Sequence, residues 1–134
     1  MREQKGFTLI ELMVVAALLS ILAGAASVAL QALPKPVEKD AQRLAAVLDA
    51  QRAKSRSTGQ PIFFKSQGNS YRVHRGSAVT TERLSAGTTL APADIKLGPE
   101  PVIEPQRVVL TDASGNAHAV ITDGVRPFYV ESVQ

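Results

Sequence analysis

The chain has no cysteine and no tryptophan in 134 residues, and aromatic side chains make up only 4% of it. Without cysteine there is neither a disulfide framework nor a thiolate metal site, so the fold must hold without bridges. Few large rings also mean a small core, and the length is one domain's worth of material. No block of like charge occurs either. The net charge of +3 comes from lysine and arginine scattered among acids, which argues only weakly for a polyanionic partner.

What the chain does have is one long apolar run. From Phe7 to Leu33 almost every residue is hydrophobic or small. As a helix these roughly 27 residues reach about 40 Å, more than the ~30 Å of bilayer hydrocarbon. Arg2 and Lys5 precede the run, and a cationic flank tends to stay on the cytoplasmic side. The remainder would then lie across the membrane. Glu11 interrupts the run five residues in. A cleaved secretory signal offers another account, with Leu9 to Leu22 as its apolar stretch and Ala23-Gly24-Ala25 as a small-x-small site. Against it, an ionised acid in such a stretch opposes insertion, by about 2.5 to 3.5 kcal/mol at a helix centre and less near its end. A plain membrane anchor meets the same objection.

Pro34-Lys35-Pro36 follows, and each proline removes a backbone donor and disfavours helix at the residue before it, so a break or sharp bend belongs there. From Val37 to about Ser57 the pattern is amphipathic. Val37, Ala41, Leu44, Ala45, Leu48 and Ala53 fall near helical spacing, with Glu38, Lys39, Arg43, Asp49, Arg52 and Lys54 elsewhere. Leu44 and Leu48 are expected to pack on the domain's own sheet. Gly59 and Pro61 end this helix, glycine past its end and proline beyond. Two hairpins come next: Ile62 to Lys65 with Ser70 to Arg75, and Arg107 to Thr111 with Ala117 to Thr122. Their spacers contain the glycine and Asn or Asp that tight turns need. Phe128 to Val133 reads as a last strand. Ser85 to Gln106, rich in Gly and Pro, reads mostly as loop, with short strand pieces near Thr88 to Leu90 and Asp94 to Leu97. The layout is α+β, a long N-terminal helix whose second half packs on a small antiparallel sheet.

Nothing in this layout points to an enzyme, and no catalytic residue, cofactor site or metal site is assigned. His74 and His118 each fall within a strand, without a second histidine or cysteine at ligand spacing. No Gly-x-Ser-x-Gly or phosphate-cradling glycine loop appears. Asp112, Ser114 and Asn116 alternate as calcium-loop oxygens can, but a plain turn has the same sequence. Arg43, Arg52, Lys54 and Arg56 could make a basic helix end for DNA, with Arg72, Arg75 and Arg83 further on. No interleaved aromatics support base stacking, and a solvated face or anionic lipid headgroups account for these residues equally well.

The first residues carry a resemblance that changes the reading of Glu11. MREQKG followed by FTLIELMVV resembles the N-terminus of type IV prepilins and type II secretion pseudopilins. In that family an inner-membrane peptidase cuts after the glycine and methylates the new amine, which implies loss of the leader 1–6, processing at Gly6 and Phe7, and retention of 7–33 as the transmembrane and assembly helix. Phe7 would then present a cation at a helix start, where unpaired N–H groups already favour negative charge. Glu11, one turn on, would pair with that amine in its own chain or in an adjacent subunit and so fix axial register.

Further on, LAAVLDAQRAKSRSTGQPIFFKSQGNSYRV resembles the H-type minor pseudopilins and the FimT-like minor pilins. VVLTDASGNAHAV departs from that subgroup's aromatic-rich strand and Pro-Asp-Gly turn. The resemblance implies a helix continuation over 34–58, a periplasmic β-rich domain over 59–134, and a cytoplasmic N-terminus in the bacterial inner membrane. The implied partners are other minor and major pseudopilins, prepilin peptidase, the inner-membrane assembly platform and membrane lipids. Nucleic acid is kept as the competing partner class.

Overall fold

The computed structural model describes residues 7–31 and 35–133, with backbone alone for 27–31. The chain divides into two compact units, with the division between residues 34 and 35, and each is described by itself.

The first unit holds one helix, α1 (Leu9–Gln31), 23 residues long. An 18-residue window, Leu9–Ala26, has mean hydropathy 2.4, and none of it is buried. Leu9, Ile10, Leu12, Met13, Leu18, Leu19, Ile21 and Leu22 are all exposed, so the helix is apolar on every side. In water such a surface is unfavourable; in hydrocarbon it is what a spanning helix presents. The hydroxyl of Ser20 is satisfied internally, donating to the Ala16 carbonyl at 2.8 Å, as small hydroxyl residues do within helices.

The second unit opens with α2 (Pro36–Thr58). Lys35 is extended (φ −64°, ψ 152°) and Pro36 stands in the first turn, where its missing N–H costs nothing and its fixed φ starts the helix. Residues 32–34, including Pro34 and its expected bend, lie outside the described residues. At the far end Gly59 takes the left-handed conformation (φ 67°) and closes α2, as the sequence implied.

Seven strands follow: β1 (Ile62–Gly68), β2 (Ser70–Arg75), β3 (Ala78–Arg83), β4 (Thr89–Leu97), β5 (Gln106–Thr111), β6 (Ala117–Thr122) and β7 (Tyr129–Val133). They form one sheet in the order β3-β2-β1-β4-β5-β6-β7, with every pair antiparallel. Both expected hairpins and the last strand are present. Two parts depart from the sequence reading. No strand was assigned to residues 76–84, where β3 turns back on β2 through Gly76-Ser77, with Arg75 opposite Ala78. The stretch read mostly as loop contains β4 as one continuous strand. Glycine and proline suggested irregularity, but β4 pairs with β1 from Leu97 opposite Ile62 to Ala93 opposite Ser66, and again at Leu90 opposite Gly68. Pro92 falls at the register shift between those stretches, a position where a strand tolerates proline. There Ser66 Oγ donates to the Ala91 carbonyl at 2.7 Å.

The core lies between α2 and one sheet face. Val37, Ala41, Leu44 and Leu48 follow one another at steps of four and three and are fully buried, against Phe64, Ile95, Leu97, Val108, Leu110 and Val120. Each such side chain contributes about 1.5 to 3 kcal/mol by leaving water. Phe64 and Tyr71 add a tilted ring pair with centroids 5.4 Å apart.

The same spacing carried past Leu48 reaches Arg52 and Ser55, and both are buried, whereas Ala53 is exposed. This corrects the sequence reading, which put Ala53 in the apolar stripe and Arg52 on the solvated side. Helical geometry decides the face, and the fold solves the resulting charge problem with carbonyls. Arg52 is 4% exposed. It donates to Arg126 O and Pro101 O, each at 3.1 Å, and to Gly124 O. Gly124 (φ 91°) must be glycine: a Cβ there would sit 1.9 Å from the Ile103 carbonyl oxygen. The Arg52 side chain thus binds the 99–104 loop to the turn before β7. Truncation by Arg52→Ala would leave these carbonyls without their donor, at about 1 to 3 kcal/mol for each buried group left unsatisfied. The expected result in detergent-solubilised protein is a thermal midpoint lowered by several degrees, with Arg52→Lys recovering part of the loss; an unchanged midpoint would show that the cage carries no stability.

Candidate processing and assembly site

The residues named from sequence as a processing and assembly site are Gly6, Phe7 and Glu11. Gly6 lies outside the described residues. Phe7 and Thr8 precede the helix, and Phe7 is 80% exposed. Glu11 is in the first turn of α1.

The local geometry gives Glu11 a neighbour that the sequence reading missed. Thr8 is the N-cap: its carbonyl accepts from Glu11 N at 3.1 Å and Leu12 N at 3.2 Å. Its hydroxyl oxygen accepts from Glu11 N at 3.4 Å and donates to Glu11 Oε2 at 3.5 Å. Thr8-Leu9-Ile10-Glu11 has the sequence of a capping box, with Thr at the cap and Glu at the third helical position, but the carboxylate meets the Thr8 hydroxyl and not the Thr8 N–H. Its signal was in the sequence as T-x-x-E ahead of an apolar run. The contacts are long and exposed, so this cap orients the carboxylate loosely. Among the described residues no cationic side chain pairs with Glu11. It stands at the positive end of the helix dipole with room for a partner cation. Around the same turn Phe7, Leu9, Leu12, Met13 and Ala16 form an exposed apolar surface.

The other candidates fare differently. Of the basic helix end, Arg52 is taken inside, while Arg43, Lys54 and Arg56 stay exposed, Arg43 pairing with Glu82 at 2.9 Å and Arg56 donating to Pro101 O at 3.3 Å. Arg75 donates to Thr80 Oγ1 at 2.9 Å. Arg72 and Arg83 remain exposed on the sheet face away from α2. DNA contact by a cluster of free arginines at the end of α2 is thus not available to Arg52. Glu82 also accepts from the Tyr71 hydroxyl at 3.1 Å; burial first, and then this carboxylate, push the Tyr71 phenol up to about 12. His74 and His118 are half-buried in β2 and β6. No group of three metal-ligating side chains occurs among the described residues.

Asp112 is the centre of a turn. Its Oδ1 accepts from Ser114 N at 2.8 Å and Asn116 N at 2.9 Å, and its Oδ2 from Asn116 Nδ2 at 2.8 Å. The carboxylate oxygens read as possible calcium ligands are thus engaged by the loop itself, an Asx turn. Asn116 Oδ1 accepts in turn from Lys35 Nζ at 2.8 Å, linking the start of α2 to this turn. Two acids elsewhere on α2 do similar work. Asp40 accepts from Ser85 N at 2.9 Å and Ser85 Oγ at 3.1 Å, and Asp49 from Phe128 N at 3.0 Å.

The Asn116 side chain, then the turn's backbone donors, hold the Asp112 carboxyl below the usual carboxylate range. A folded pKa below the unfolded one stabilises above the unfolded value, about 3.9, and that contribution is lost as pH falls through the folded value. Asp112→Asn should therefore lower the thermal midpoint at pH 7, and the gap between variant and parent should narrow as pH falls below about 3.9. A gap between variant and parent that persists undiminished at pH 2 would contradict this.

With that geometry in place, comparison with known proteins bears on the N-terminal unit alone. Residues 1–27 match the family model described as Prokaryotic N-terminal methylation motif. No curated protein and no solved structure matches. The chain therefore carries a type IV prepilin-like signal ahead of an apolar helix and, with its α2-on-sheet unit, has a pilin-like arrangement. The motif and the apolar helix it overlaps are consistent with a single membrane anchor.

Proposed function

We propose that this chain is a minor pseudopilin-like subunit of a type II secretion pseudopilus, joining a short periplasmic filament at or near its tip through α1 and helping to move folded proteins across the outer membrane. The reading is carried by one observation: a methylation motif over residues 1–27 that coincides with a single carboxylate in the first turn of a helix apolar on every side. Peptidase cleavage between Gly6 and Phe7 leaves an ammonium at Phe7, one helical turn from Glu11. In a low-dielectric surrounding an unpaired acid is costly, and its pairing with the Phe7 amine of a neighbouring subunit fixes the stagger between helices. A minor pilin of the FimT-like kind shares this N-terminus and differs in its partners.

Replacing the acid separates insertion from assembly. Glu11→Leu removes a charge from the apolar run, so membrane insertion should be retained or improved. Incorporation with candidate pseudopilin subunits, read by co-purification from solubilised membranes, should fall at least tenfold, since removing one member of a buried pair costs about 3 to 5 kcal/mol. Normal co-purification of the variant would defeat the register role of Glu11.

A further inference from the structure

The sheet face turned away from α2 is open to solvent over β1, β2 and β3. Lys65, Gln67, Arg72, Thr81 and Arg83 are exposed there, at positions alternating with the buried Phe64, Tyr71 and Val73. The charge on this face is unevenly balanced. Lys65 is held by Asp94 at 3.0 Å and Lys96 by Glu100 at 2.7 Å. Most arginines of the second unit also have acceptors: Arg43, Arg52, Arg56 and Arg75 as described above, and Arg126 in Asp123 at 2.7 Å. Arg72 and Arg83 have neither a hydrogen bond nor an ion pair among the described residues. The same holds for Arg107, on this face of β5, next to buried Val108.

Register sets the spacing of the free guanidinium groups. Arg72 lies opposite Thr81 and Lys65, and Arg83 lies opposite Ser70. Arg72 and Arg83 are therefore diagonal neighbours on adjacent strands, with Cα atoms about 7 Å apart. Beside them runs a groove whose lining includes Arg72, Thr81, Ser70 and Gln67, with Lys65 and Asp94 toward β4. In an extended chain, side chains on one face also recur about every 7 Å, two residues apart. Carboxylates at that spacing match Arg72 and Arg83, and a planar guanidinium can hold a carboxylate through two parallel hydrogen bonds. The Ser70 and Thr81 hydroxyls and the Gln67 amide add neutral donors.

Two other occupants fit less well. In a second copy of this chain, the acids two residues apart are Glu38 and Asp40; both are on α2, and Asp40 is buried against Ser85. No extended segment of a second copy thus offers the complement. A nucleic-acid strand would meet the arginines, but Phe63 is the one ring that β1 to β4 present on this face, so successive bases lack stacking platforms.

We propose that the outer face of β1 to β3 docks an extended acidic segment of a neighbouring subunit of different sequence, with Arg72 and Arg83 each taking one of two carboxylates two residues apart. The identity of the donor as a neighbouring subunit rests on the assembly reading; the chemistry of the groove does not. Exposed ion pairs are weak singly, so this contact gains from the raised effective concentration that helix assembly provides.

The chemistry is tested with the detergent-solubilised full chain and a fluorescent peptide of alternating aspartate and threonine at low salt. Binding should weaken severalfold when asparagine replaces aspartate, and as much in the Arg72→Ala, Arg83→Ala double variant, whose thermal midpoint should match the parent's because both side chains are exposed and unpaired. Glu11→Leu should leave peptide binding unchanged. In native membranes, Arg72→Glu with Arg83→Glu should lower co-purification of candidate pseudopilin subunits severalfold, although Glu11 is intact. Equal binding of the aspartate and asparagine peptides, or undiminished binding by the double-alanine variant, overturns the proposal. So does a single-stranded oligonucleotide that binds more tightly than the peptide through the same arginines. Co-purification that requires Glu11 but ignores the charge reversal also overturns it and leaves the assembly reading standing. A parent chain that binds the peptide through both arginines yet co-purifies with no candidate subunit counts against the assembly reading, and with it against a neighbouring subunit as the donor.

Discussion

A carboxylate placed in hydrocarbon must meet a cation, take up a proton or stay near water, and each alternative constrains the helix that carries it. In this chain the acid is Glu11, in the first turn of a helix apolar on every side. Thr8 offers it a long hydroxyl contact, too weak and too neutral to balance a charge. On the proposed reading the missing charge is the new amine of a neighbouring subunit, created by cutting before its Phe7. The one charged residue of α1 then becomes the feature that decides how neighbouring helices align.

The second unit uses the opposite tactic, holding its polar groups internally. The buried stripe of α2 begins with aliphatic residues and reaches Arg52, whose Nη1 and Nη2 donate to three carbonyls from two loops while its Nε stays without a partner among the described residues. Asp40, Asp49 and the Lys35–Asn116 contact fix other parts of α2 to distant segments. A small core with few rings gains definition from such directional contacts, since hydrogen bonds to a charged group are stronger than neutral ones. Of the basic residues on α2 only Arg52 leaves the surface; Arg43, Lys54 and Arg56 remain exposed.

Much of this was legible in the sequence because the signals are local. Apolar length marked α1, periodicity marked α2, Gly59 marked its end, and glycine with Asn or Asp marked two turns. The third turn, Gly76-Ser77, carries a weaker form of the same signal ahead of the β-branched Val79-Thr80-Thr81. The β4 strand was obscured because its regularity comes from pairing with β1, a partner far away in sequence, which overrides the local warning of Pro92. Arg52 was misplaced for a related reason: its charge suggested solvent, whereas its spacing from Leu44 and Leu48 put it inside. Nothing in the sequence linked Asp49 to Phe128 or Asp40 to Ser85. At the N-terminus Glu11 stood out by contrast with its surroundings, while its Thr8 partner was visible as T-x-x-E.

The account turns on whether the apolar helix is retained after processing, with its amine placed to meet an acid. Intact-mass and N-terminal peptide mass spectrometry of the protein isolated from its native membrane tests this most directly. The predicted result is a polypeptide starting at N-methylated Phe7 and containing the whole of α1. A polypeptide starting after Ala25 would contradict it, since both Glu11 and the helix that carries it would then be gone.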